Sequence, residues 1–198
     1  NSGSWEQIGS DIYGEKKQDR SGGSVSLSND GTIVAIGARL NDGNGADSGH
    51  VRIYKNNSGS WEQVGSDIDG EKKNDYLGNS VSLSGDGSIV AIGAYKHDGG
   101  GSSSGLVRIY KNNSGSWEQL GNDIYGSQNE ELGYSVSLSN DGSTVAIGAW
   151  AGDGGGKNSG TVKVYEINSG SWEQIGSDIY GEINGDNSGG SVSLSNDG

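Results

Sequence analysis

The sequence contains no cysteine, proline, methionine or phenylalanine. Without cysteine there is neither a disulfide framework nor a thiolate metal site, and cysteine usage leaves the redox compartment open. Cations are scarce: 13 Lys plus Arg face 26 Asp plus Glu, for a formal net charge of -13. That balance excludes binding to a phosphate backbone, which needs clustered cations, so no nucleic-acid partner is expected. It suits the solvated surface of a protein in a saline or calcium-rich medium. No run approaches the roughly 20 apolar residues of a membrane helix, so membrane insertion is not expected. Only 29% of residues are hydrophobic and 39 are glycine, a composition that reads as disorder if the apolar residues are scattered.

They are gathered instead. Ser24 to Ala38 reads SVSLSNDGTIVAIGA, Ser80 to Ala94 SVSLSGDGSIVAIGA and Ser135 to Ala149 SVSLSNDGSTVAIGA, and a fourth copy, SVSLSNDG, runs from Ser191 to Gly198. An alternating run, then Asp-Gly, then an apolar run is the signature of a tight β-hairpin. Trp5, Trp61, Trp117 and Trp172 recur at spacings of 56, 56 and 55 residues, with one residue lost between Gly126 and Ser135. A period of this size marks propellers, solenoids or arrays.

One unit reads as four strands and no helix. Val25 and Leu27 alternate with serines in Ser24 to Ser28, and Thr32 to Ala38 is apolar on both faces and belongs between layers. A polar loop, Asn41 to Gly49, leads to the alternating run His50 to Lys55. Asn56 to Gly59 turns into Trp61 to Ile68, and the acidic stretch Asp69 to Asn79 crosses to the next unit. The fold class is therefore all-β: a β-propeller of four-stranded antiparallel blades, about 56 residues each and about 3.5 in number, with a β-solenoid as the alternative. The boundaries are 1–23 (last strand of a preceding blade and a crossing loop), 24–79, 80–134 and 135–190 (three blades), and 191–198 (first strand of a further blade). Three blades do not close a ring, so the chain reads as a slice of a longer repetitive polypeptide, in preference to one half of a complementing dimer.

The hairpin ending in Gly-Ala, the GxVRIY strand and the SWEQIG strand together resemble the FG-GAP class of integrin-α-like propeller repeats, in the bacterial and algal form SVSLSxDGxxVAIGA. The resemblance covers essentially the whole chain. It implies an extracellular or cell-surface module serving adhesion or recognition. The family's Phe is replaced by Ser21, Leu77, Leu132 and Ser188. Where its calcium-binding members carry carboxylates before Asp-Gly, this chain has Ser26 and Ser28, Ser82 and Ser84, and Ser137 and Ser139. Serine hydroxyls alone are poor ligands for a hard cation, so the hairpin calcium loop is not inherited.

Calcium remains a candidate in the second loop, where Asp42, Asn44 and Asp47 have partial counterparts in Asp98 and Asp153. The plainer reading there is an Asx-type turn, and it is preferred. The acidic sets of the crossing loops (Asp11, Glu15 and Asp19; Asp67, Glu71 and Asp75; Asp178, Glu182 and Asp186) recur in register, and the third crossing keeps Asp123, replaces the Glu by Ser127 and adds Glu130 and Glu131. Such repetition argues for solvation over acid–base catalysis, which needs one site. His50 and His97 have no repeat counterparts and read as surface residues; the tryptophans read as staples of the fourth strand to its own blade. Arg39, Tyr95 and Trp150 vary at one loop position across uniform units, as a recognition rim does. Asn56 and Asn112 begin N-glycosylation sequons in turns. The expected function is a non-catalytic structural or adhesive module that contacts proteins or further copies of itself, with filament assembly open. A carbohydrate-binding propeller is the alternative and a central-channel enzyme the next.

Overall fold

A computed structural model describes residues 3–198; Asn1 and Ser2, the start of the first NSGSW phrase, lie outside the described residues. Among the described residues fifteen strands form three sheets. The first holds β1 (Ser24–Leu27), β2 (Ile33–Ala38), β3 (His50–Asn57), β4 (Ser60–Gln63) and β5 (Ile68–Asp69). The second holds β6 (Ser80–Leu83), β7 (Ile89–Ala94), β8 (Leu106–Asn113), β9 (Ser116–Gln119) and β10 (Ile124–Tyr125). The third holds β11 (Leu132–Leu138), β12 (Thr144–Ala149), β13 (Thr161–Asn168), β14 (Ser171–Gln174) and β15 (Ile179–Tyr180). Each sheet is an antiparallel meander of propeller-blade type, and β6 contacts both β1 and β11, so the first strands line one side of the stack. Among the described residues no helix is long and apolar enough to cross a membrane.

The hairpins form for local reasons. In β1–β2, Leu27 pairs with Val34 across the Asp30-Gly31 turn; Asp30 Oδ1 accepts the Thr32 amide at 2.9 Å, and Gly31 adopts a φ of 70°. The blades then stack on these hairpins. Ile92 is fully buried in the core between blades 1 and 2, and Ile147 in the core between blades 2 and 3, each contributing about 1.5–3 kcal/mol. Polar joints run alongside the apolar ones: Ser24 Oγ donates to Gly78 O at 2.7 Å and Ser80 Oγ to Gly133 O at 2.8 Å. Ser26 and Ser82, at the positions of the family's carboxylates, accept the Leu83 and Leu138 amides of the next blade at 2.9 Å each. A backbone ladder closes the hairpin tips, from Asn29 N to Gly85 O (2.8 Å), Gly85 N to Asn140 O (2.7 Å) and Asn140 N to Asn196 O (2.9 Å).

The outer strand departs from the sequence reading. The expected continuous run Trp61 to Ile68 is split into β4, paired with the far end of β3, and β5, paired with its beginning. Gly65 turns out of the ladder at a φ of 75°, which frees the Val64 carbonyl to accept the Trp117 indole N–H of the next blade at 2.8 Å. Trp61 donates likewise to Ile8 O (2.9 Å) and Trp172 to Leu120 O (2.8 Å). The tryptophans therefore staple each blade to the preceding one, not to itself. Residues 188–198 lie along blade 3 as an inner strand lies along its neighbour, with Leu194 N on Ser137 Oγ at 3.0 Å, but have no second strand to pair with. Residues 3–23 contain no strand.

Candidate functional site

Strand alternation sorts the connections into two faces. Asp-Gly turns and Asn-Asn-Ser-Gly turns share one; the second loops and crossing loops share the other, joined by Asn74 N to Ala46 O (2.9 Å) and Leu77 N to Ser48 O (3.0 Å). Asn56 and Asn112 lie on the first face, each with its side-chain oxygen accepting the amide of the turn glycine, at 2.9 and 2.8 Å. Asn56 Nδ2, the atom a glycan would take, is buried. The other candidates lie on the loop face.

In the second loops one geometry recurs. Asp42, Asp98 and Asp153 accept the amides of Asp47, Ser103 and Asn158 at 2.8, 2.7 and 2.7 Å, and Asn44 Nδ2 donates to Gly70 O at 3.0 Å. These groups are engaged in loop closure whether the residue opposite is Asp, Ser or Asn. The hairpin positions where the family implies calcium do not fit the ion: Ser28 Oγ donates to Asp30, and Ser26 and its counterparts join the blades.

The three rim residues sit one per blade and are half-buried. Arg39 donates to Asn79 Oδ1 at 3.0 Å. Tyr95 and Trp150 belong to a longer row: Tyr76 stacks on Tyr95 (5.6 Å between centroids), Tyr95 meets Tyr134 edge-on (5.5 Å), and Tyr134 lies 5.0 Å from Trp150. Glu131 accepts from the Trp150 indole and pairs with Lys96. Burial pushes the Tyr95 hydroxyl pKa up.

A slot recurs between each crossing loop and the beginning of the third strand. In blade 2, Arg108 donates twice to Asp123, at 2.7 Å each, and once to Glu71 at 2.6 Å. That bonding holds the Asp123 carboxyl down at about 2. In blade 3, Lys163 lies 2.8 Å from Glu130 and 3.8 Å from Asp178; burial opposes its charge, but Glu130 raises its pKa overall. The Ser127 amide bonds Glu130 as the Lys72 amide bonds Asp75. The residue missing from the shorter repeat is thus the slot Glu itself, and Ser127 does not replace it.

Blade 1 is built differently. His50 is buried (1% exposed), and its Nδ1 lies 3.6 Å from Asp67 Oδ2 and 3.8 Å from Glu15 Oε2. Burial lowers the imidazole pKa. His97 is buried as well, its Nδ1 accepting the Gly99 amide at 2.9 Å and its Nε2 3.9 Å from Glu71. The surface reading of both histidines is corrected: each is buried, His97 against the Gly99 amide of its own loop and His50 beside Glu15 and Asp67. Glu15, His50 and Asp67 present donor atoms all within 4.8 Å of one another, a set able to coordinate a divalent cation. The crossing-loop acids are likewise not all solvated, since Asp19, Asp75 and Glu130 are buried and hold backbone amides.

Blades, hairpins and inter-blade joints define the chain as a tandem array of propeller repeats. A family model for the FG-GAP repeat matches residues 14–54, 67–110 and 125–165, and the chain belongs to that family. No curated protein matches it. Among solved structures it is similar to Saccharomyces cerevisiae Sqt1 (TM-score 0.55, 16% identity, covering 83% of this chain and 37% of that one). It is also similar to a putative 6-phosphogluconolactonase from Bacteroides uniformis (TM-score 0.54, 15% identity, covering 81% and 40%). At such identity the likeness is one of fold alone, and the chain spans about two fifths of the length of either structure.

Proposed function

We propose that this chain is a non-catalytic structural or adhesive module of an extracellular or cell-surface protein, working through contacts between blade faces. One observation carries the reading. Val81 and Leu83 are 8% and 7% exposed against blade 1, whereas their counterparts Val25 and Leu27 on the free side of blade 1 are 62% and 59% exposed. At the other end Ile179 is 57% exposed where Ile124 is 3%. Surfaces shaped for blade-on-blade contact thus stand open on both flanks. A neighbour built on the same plan, from the same polypeptide or a second copy, is the partner that fits them. Asp42, Asn44, Asp47, Asp98 and Asp153 serve as loop closures in this reading and need no calcium. The family and the acidic composition support an extracellular address.

Sedimentation velocity across a concentration series tests the idea. The expected outcome is reversible association of the 198-residue chain, weakened by Leu27→Asp and by Ile179→Asp. A chain that stays monomeric at the highest concentration, or associates equally well with either substitution, would sink it. A second reading, recognition of glycans, is favoured by the aromatic row from Tyr76 to Trp150; glycan-array binding abolished by Trp150→Ala would support it in preference.

A further inference from the structure

The slot of blade 1 differs from the other two at several positions that converge on one point. Where blade 2 has Leu106 and blade 3 Thr161 at the head of the third strand, blade 1 has His50. Where Tyr125 and Tyr180 donate their hydroxyls to Asp123 and Asp178 at 2.6 and 3.2 Å, blade 1 has Asp69, a further carboxylate. The cation that fills the other slots is also diverted. Arg52 donates to Tyr13 O at 2.8 Å, lies 3.9 Å from Glu15 and, among the described residues, makes no ion pair with Asp67. Asp67 keeps its bond from Gln63 at 2.6 Å on Oδ1, but Oδ2 has neither the tyrosine nor the guanidinium of its counterparts. In their place stands the imidazole, buried, with no hydrogen-bond partner for Nδ1 among the described residues.

We propose that blade 1 binds one borderline divalent cation, of the Zn²⁺ class, between Glu15 Oε2, His50 Nδ1 and Asp67 Oδ2. The cation takes the place that Arg108 and Lys163 fill in the other blades. The separations of 3.6 and 3.8 Å about Nδ1 are close to the edge of about 3.4 Å in a tetrahedron with bonds of about 2.0–2.1 Å. A small closure of the two carboxylates onto the imidazole completes three bonds and satisfies the buried nitrogen. A fourth position faces the Asp69 side or water, as in three-ligand zinc sites. An imidazole nitrogen favours Zn²⁺, Co²⁺ or Ni²⁺ over calcium, which takes six to eight oxygens. With ligands from the crossing loop, the third strand and the break between β4 and β5, the ion ties the loop ahead of blade 1 to that blade's outer edge.

The test uses the tag-free 198-residue chain titrated with Zn²⁺ by calorimetry and with Co²⁺ by visible absorption. One saturating equivalent is expected, with the intense d–d bands of low-coordinate Co²⁺. His50→Leu, which installs the residue of blade 2, should weaken binding by more than about tenfold, while His97→Asn leaves it unchanged. Wild-type binding is read independently of any variant by nitrogen NMR of the imidazoles, where Zn²⁺ should shift the His50 ring signals at one equivalent. Absence of saturable binding, affinity retained in His50→Leu, or His50 ring signals that Zn²⁺ leaves in place would each overturn the assignment.

Discussion

Asp123 shows what a single side chain contributes in this fold. Its carboxyl sits at about 2 in the folded chain because Arg108 donates to both oxygens, against an ordinary value of 3.8. A folded-state pKa below the unfolded one adds stability that is fully present above pH about 4 and is lost as the pH falls through 2. The gap corresponds to roughly 2 kcal/mol before solvent screening, and to about 1 kcal/mol for a group with this much access to water. Asp123→Asn is therefore expected to be less stable than the parent by about 1 kcal/mol at pH 6 in urea unfolding, the difference closing between pH 4 and pH 2. A difference that persists undiminished at pH 2 would assign the effect to packing instead. None of this was legible in the sequence, where Asp123 was one member of a repeated acidic set. The partner, Arg108, lies on a different strand, and only folding brings them together. His50 is hidden for a related reason: a lone histidine opening a strand after a polar loop looks solvated, yet Glu15 and Asp67, distant from it in sequence, lie beside the buried ring. The signal the sequence does hold is positional: Asp69 stands where the other blades have Tyr125 and Tyr180.

At the scale of the strand, the parts fixed by neighbours in the chain were readable and the parts fixed by the next blade were not. The Asp-Gly hairpin follows from a local turn and from alternation, so β1–β2, β6–β7 and β11–β12 formed where expected. The break of the outer strand recurs at Gly176 in blade 3 without an indole on it, so the glycine turn makes it; what lies more than fifty residues away is the partner of the carbonyl it frees, the indole of Trp117 on Val64 O. Close approach between blades is set by the second strand. A Cβ at Gly93 would collide with the Gly133 carbonyl of blade 3, and a backbone atom in a packed joint has little room to yield. Gly93→Ala should cost about 3 kcal/mol or more, whereas Gly190→Ala should stay within about 0.5 kcal/mol. At Gly190 a Cβ meets only Asn187 O at 3.4 Å, and the counterparts are Asn79 and Tyr134. Thermal unfolding followed by circular dichroism separates the two; equal midpoints would mean that the blades are not spaced by this glycine.

For the molecule as a whole, each blade relies on its neighbours to bury its inner strands: Val81 and Leu83 are buried where Val25 and Leu27 stand open. β7, between blades 1 and 3, is buried except at Ile89, and β12, between blade 2 and residues 188–198, is buried throughout, whereas β2 on the open flank is buried only from Ala35 to Ala38. Stability should then grow with the number of blade junctions, as in other repeat arrays where interface terms dominate. Residues 143–198 appended after Gly198 continue the hairpin in register, because SVSLSNDG is followed by STVAIGA at that point in blade 3. The extension supplies the second, third and outer strands that residues 191–198 lack, and it covers Ile175 and Ile179, now exposed. Four blades should unfold at a higher urea midpoint than three and with a larger dependence on denaturant, since more surface is uncovered. The same covering should remove whatever association runs through the Ile179 face while leaving that through Leu27, so the extended chain should stop at a smaller assembly. If the midpoint is unchanged, the added blade folds apart from the stack, and the exposed faces are not the joints proposed for them.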